Sequence, residues 1–173
     1  MKKIITLIIL AIRVASYAQT YPEPDFGNIP MWYDSSTSSL KGFERMPPNQ
    51  STRMSGIASA EVLIYFPGET SSVPFQKGKM PPFIIKMNTE TEDPASTIEL
   101  GKFTVNRRKH QREYIVGHGG FGGSKTTVST IIVDFKKIGK GVYQIIPAQP
   151  LEVGEYAINI GKQGFLFSII QSK

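Results

Sequence analysis

The chain holds two histidines, His110 and His118, and both fall in or beside turn-rich stretches. A hydrolytic triad needs a nucleophile, an imidazole base and an orienting acid within hydrogen-bond reach. The sequence offers His118 with Ser124 across a glycine-rich loop, and Asp134 beyond it. No serine stands in the G-x-S-x-G elbow that exposes a nucleophile on a strand-to-helix turn, so both histidines read as loop residues and no catalytic residue is assigned. The loop, residues 117–126, carries Gly117, Gly119, Gly120, Gly122 and Gly123 and invites comparison with a phosphate loop. The spacing fails: a P-loop runs Gly, four residues, then Gly-Lys-Ser/Thr into a helix, whereas here Ser124 separates Gly123 from Lys125 and a β-prone run follows. The glycines read as a hairpin connection whose backbone takes positive φ, and a loop of that kind on a rigid scaffold can serve recognition.

Glu90, Glu92 and Asp93 sit in a polar turn with oxygen ligands to spare, but without the Asp-x-Asp-x-Asp-Gly spacing of a calcium loop. Trp32, with Tyr33 and Tyr21, offers flat aromatic faces of the kind that stack on a sugar ring. Arg107, Arg108, Lys109 and Arg112 make the one dense basic cluster, which reads as the solvated end of a hairpin. A nucleic-acid binder concentrates Lys and Arg on one face, so no nucleic-acid partner is expected. With no cysteine in the chain, thiol catalysis, zinc-thiolate sites and disulfide staples are excluded. No cofactor or metal is expected, and the candidate binding residues are Trp32, Tyr33, His118, Phe121, Arg107 and Arg108.

These side chains must be positioned by an exported domain. Residues 1–3 are Met and two Lys, residues 4–12 form an apolar run, and Ser16 and Ala18 supply small residues before Gln19, the pattern of a removable leader cut after Ala18. A membrane span needs about 20 apolar residues, and Arg13 interrupts this run. Loss of Lys2, Lys3 and Arg13 takes the 20 basic residues to 17 against 14 acidic ones, so the formal charge falls from +6 to +3. The expected location is the periplasm or cell surface of a Gram-negative-type bacterium.

What remains is enough for one domain with a core. Pro, Ser, Asn and Gly dominate residues 20–56, where Met31 to Tyr33 and Leu40 to Phe43 read as hairpin arms around a polar turn. Residues 45–56, with Pro47 and Pro48, read as a linker, which divides the chain into a leader (1–18), an N-terminal extended segment with hairpin and linker (19–58) and a β-sandwich domain (59–173). From Ala60 onward, short β-prone runs alternate with turn residues. Phe83, Ile85 and Met87 share one face, as do Tyr156, Ile158 and Ile160, and Phe165, Phe167 and Ile169. Ile98 and Leu100 keep one phase and Phe103 and Val105 the other, which predicts a β-bulge at Gly101 and Lys102. Residues 161–164 predict a four-residue reversal. No stretch holds a capped 3.6-residue apolar period, so helix is expected only in the leader.

Leu151, Glu152, Val153, Gly154, Glu155 and Tyr156 resemble the tyrosine corner of Greek-key sandwiches, in which a tyrosine hydroxyl bonds back to upstream backbone. Together with the Asp93-Pro94-Ala95-Ser96 turn, the glycine loop at 117–125 and the run Tyr143, Pro147, Pro150, Leu151, Gly154, Glu155, Tyr156, Ala157, the chain resembles a family of uncharacterised exported bacterial proteins over roughly residues 30–170. The resemblance implies an all-β, antiparallel, immunoglobulin-like Greek-key sandwich of about seven to nine strands, and no activity. The expected function is a non-enzymatic module that binds another envelope protein or serves structurally, with a carbohydrate-binding accessory domain and a hydrolase of unfamiliar type as alternatives. A polysaccharide is thus the second expected partner class.

Overall fold

The computed structural model describes residues 21–54, 59–120, 123–126 and 130–172. The expected leader and its expected cleavage point therefore lie outside the described residues, as do Phe121 and Gly122. Among the described residues there is no α-helix, only a single 3-10 turn at Pro94–Ser96 capped by the Asp93 carboxylate, so no helix is long and apolar enough to cross a membrane.

Fifteen strands form two sheets among the described residues. The first has five strands: β1 (Met31–Asp34), β2 (Ser39–Gly42), β7 (Phe83–Lys86), β12 (Val133–Gly139) and β13 (Val142–Pro147), in the order β12-β13-β7-β1-β2. The second follows the path β3 (Glu44–Met46), β15 (Gln163–Ile170), β14 (Gly154–Ile160), β8 (Ile98–Asn106), β9 (Gln111–Gly120), β5 (Ser59–Pro67), β4 (Asn49–Met54). Three short strands attach to it: β6 (Pro74–Gln76) on β15, β10 (Gly123–Thr126) on β9 and β11 (Thr130–Ile131) on β8. Every pairing is antiparallel except that of β6 with β15. The count exceeds seven to nine because short pieces share the edge of one long strand, as β3 and β6 share β15.

The stretch 45–56, expected to be a linker, instead supplies most of β3 and β4, which pair with β15 and β5. Its side chains are polar because β4 is an edge strand with little to bury, and polarity of that kind is indistinguishable in sequence from a loop. The hairpin of β1 and β2 forms as expected, and β1 joins β7, so the N-terminal segment is part of the first sheet.

One core cluster draws on both sheets: Phe83, Ile85 and Ile145 from the first, Leu100, Tyr156, Ile158, Phe165, Phe167 and Ile169 from the second. Aromatic edges meet faces within it, Phe43 to Phe83 at 4.9 Å and Phe83 to Phe167 at 5.1 Å between centroids, the offset geometry that ring quadrupoles favour. The tyrosine-corner bond is present: the Tyr156 hydroxyl donates to the Glu152 carbonyl at 2.6 Å. Tyr156→Phe is expected to lower stability by about 1 kcal/mol, the net worth of one hydrogen bond, measured by urea unfolding.

No bulge occurs at Gly101. Leu100, Gly101, Lys102 and Phe103 pair in unbroken register with Ile158, Ala157, Tyr156 and Glu155. The phase changes because the second sheet is buried on both faces: Phe103 turns away from the main core into a second cluster with Phe66, Ala157 and Leu166. Gly164 makes this possible, since a Cβ there would stand 2.4 Å from the Phe66 ring, a close approach that explains glycine inside a strand. The final reversal is also tighter than expected. Ile160 pairs with Gln163, so the turn is Gly161 and Lys162 alone, with Gly161 at φ +57.

Candidate functional site

Strand β9 is the residue-rich element. It pairs with β5 from Gln111 to Gly120 around a bulge at Val116, and with β8 only at Gln111 to Glu113. Above that point the two strands diverge into a fork. β10 follows β9 from Gly117 to Gly120 and β11 follows β8 at Leu100 and Gly101, so the chain enters the fork along one arm and leaves along the other.

A cleft of about 540 Å³ opens at this fork, lined by Arg53, Leu63, Lys102, Phe103, Thr104, Glu113, Tyr114, Ile115 and His118. Its floor is apolar: Leu63 is buried, and Phe103 meets Tyr114 edge to face at 4.7 Å. Its rim is a charge network. The Arg53 guanidinium on β4 donates through Nη2 and Nε to Glu61 Oε2 at 2.6 and 3.0 Å, and through Nη1 to Glu113 Oε1 at 3.3 Å. Asn106 Nδ2 and Gln111 Nε2 complete the donors to Glu113 at 3.0 and 2.8 Å. His118 Nδ1 stands 3.9 Å from Glu61 Oε1, outside hydrogen-bond range.

Burial alone would raise the Glu113 carboxyl, but the donors Gln111 and Asn106 and the charge of Arg53 outweigh it and hold the group below its ordinary range. Glu44 behaves likewise: burial raises it, and hydrogen bonds from Arg112, Ser71 and Ser72 more than reverse that. Burial pushes the Tyr114 hydroxyl up, with Glu99 adding to the effect. Because the two carboxyls are lowered in the folded state, the stability they supply is complete above the unfolded glutamate pKa of about 4.3 and is lost as pH falls through their folded values. Thermal melts should therefore show Tm flat from neutral pH to about 5 and falling below that, and Glu113→Gln should flatten the fall.

A second polar knot lies beneath the fork, on the second cluster's side. Arg112, 1% exposed, donates through Nη2 to Glu44 Oε1 at 2.9 Å and to the Pro67 carbonyl at 2.8 Å, with Nη1 3.8 Å from Glu155 Oε2. Glu155 in turn accepts from Ser168 Oγ at 2.7 Å and from Ser71 N–H at 2.9 Å. Arg112 therefore departs from the solvated basic cluster in which the sequence groups it. The phase of β9 that turns Tyr114 inward turns Arg112 inward too.

The other expected residues that are described do not assemble. Arg107 and Arg108 lie exposed in the turn at residues 107–110, and His110 there pairs with Glu69 at 2.6 Å. Trp32 packs on the main core, edge-on to Phe75 at 5.3 Å, with Nε1 donating to the Gly42 carbonyl; Tyr33 meets Tyr21 edge-on at 74°. No coplanar aromatic platform forms from these rings. Asp134 lies on β12 in the first sheet, whereas His118 lies on β9 in the second. Of the expected residues that are described, only His118 reaches the cleft. Arg53, Glu61 and Glu113 were missed because each belongs to a different strand, and only the register of β4, β5 and β9 brings them together. Among the described residues no group of His, Asp and Glu could hold a metal ion. No family model matches the chain, nor does any curated protein or any solved structure.

Proposed function

We propose that the chain is an exported, non-enzymatic recognition module, an immunoglobulin-like Greek-key sandwich whose fork cleft receives part of another envelope protein. The cleft carries this reading: the buried apolar side chains of Leu63 and Phe103 line it together with the charged groups of Arg53, Glu113 and His118, the mix of desolvated apolar surface and polar contacts that a protein contact uses. The core shared by the two sheets and the Tyr156 corner bond support the sandwich type, and the leader pattern at residues 1–18 supports export. Protein is favoured over polysaccharide as the partner because the ring best suited to sugar stacking, Trp32, is engaged by the core.

The test is affinity capture from the native envelope fraction with immobilised protein, followed by mass spectrometry. One stoichiometric protein is expected on the wild type. Arg53→Ala should weaken its retention about tenfold, the worth of one or two charge-assisted contacts, with unchanged circular dichroism. Equal retention by the variant, or retention of polysaccharide alone, contradicts the reading.

A further inference from the structure

The ends of the two sheets are not equivalent. In the first sheet, β2 is four residues long and carries Lys41, and β12 carries Lys136 and Lys137. In the second, β3 is three residues long. Short length and edge lysines are the usual means by which a sheet end is kept from pairing with another chain. β4 has neither: it runs six residues, Asn49–Met54, with no lysine and no proline, all exposed but Ser51, and Met54 is 68% exposed. Among the described residues it pairs with β5 alone.

The direction of its free backbone groups follows from one hydrogen bond. Gly68 N–H donates to the His110 carbonyl at 2.9 Å, and these two residues stand opposite each other in the continued register of β5 and β9. Residues bonded to one neighbour alternate with residues bonded to the other, so Gly68, Phe66 and Ile64 face β9, while Tyr65, Leu63 and Glu61 face β4. Their partners Asn49, Ser51 and Arg53 are thereby committed to β5. Gln50, Thr52 and Met54 turn their N–H and C=O outward.

We propose that this edge pairs with β4 of a second copy of the chain, antiparallel about a two-fold axis at Thr52. In that register Thr52 meets its own copy and Gln50 meets Met54, so every outward N–H and C=O finds a partner, and Ser51 lies opposite Arg53. Thr–Thr pairs are favourable cross-strand neighbours, and no like charges stand opposed. Arg53 keeps its contacts with Glu61 and Glu113 on the sheet face, and the exposed Met54 is covered. A two-fold contact of this kind uses the same patch on both copies and closes at two. The ladder is short beside the interface of a permanent dimer, so association is weak and reversible.

Sedimentation velocity on the purified protein from about 10 μM to about 1 mM, the range over which weak association becomes visible, should show monomer passing into dimer and no larger species. Thr52→Lys sets like charges against each other on the axis, and Thr52→Pro removes an outward N–H that β5 does not use; each should leave a monomer at every concentration, with the circular dichroism and melting temperature of the wild type. A wild type that stays monomeric at the highest concentration overturns the proposal, whatever else the edge binds. A dimer that survives Thr52→Lys also overturns it, by placing the contact elsewhere.

Discussion

Replacing Arg112 by alanine is expected to remove about 3–5 kcal/mol of folding stability, the cost of breaking a buried ion pair from one side. Among the described residues the guanidinium is the one buried cation, and at the junction of β3, β9 and β14 it pairs with Glu44 at 2.9 Å and stands 3.8 Å from Glu155. Without it two carboxylates are left with side-chain exposures of 13% and 8%, and an uncompensated charge so little exposed is costly. The urea midpoint should fall with the m-value unchanged. Removing both charges of the closest pair, as in Arg112→Met with Glu44→Gln, should cost less than the two single changes added together, because the second substitution removes the charge that the first left uncompensated. A loss below about 0.5 kcal/mol, the range of ordinary surface substitutions, would return Arg112 to the solvated cluster that the sequence suggests.

Leu166→Ala is expected to cost about 2–5 kcal/mol, as for a leucine deleted from a packed core. The size of the effect separates two descriptions of the second sheet. If only the face bearing Phe165, Phe167 and Ile169 were buried, Leu166 would face solvent and its truncation would be nearly neutral. Leu166 is instead fully buried against the second cluster, beside Phe66, Phe103 and Ala157. The same equilibrium unfolding measurement decides between them.

That contrast also shows what sequence reading reaches in this fold. Two-residue alternation located the runs that became β7, β14 and β15, because one face of each carries the large apolar residues of the main core. Tyr156 was legible because its role is local, a bond to a carbonyl four residues upstream. Alternation misled at Phe103, where a change of phase suggested a bulge. The cause is a second layer of packing, and nothing in residues 98–106 distinguishes a strand that bends from a strand buried on both sides. It failed again at β4, where a mostly exposed edge strand has loop-like composition. The cleft was the least legible feature. Arg53 and Glu61 are eight residues apart, but Glu113 and Thr104 reach them only through the pairing of β9 with β5 and β8. Of the cleft residues His118 alone reads in sequence as a candidate for chemistry, as one of two imidazoles, and in the structure it stands beside Glu61 rather than within a triad.

The claim that the fork cleft is the recognition surface is tested most directly by site-specific photo-cross-linking in intact cells of the native host, with a photoreactive side chain placed at His118 and, as a control, at Lys137 on the edge of the first sheet. Recognition at the fork predicts one discrete adduct from His118 and none from Lys137. The same adduct from both positions, or an adduct from Lys137 alone, would contradict it.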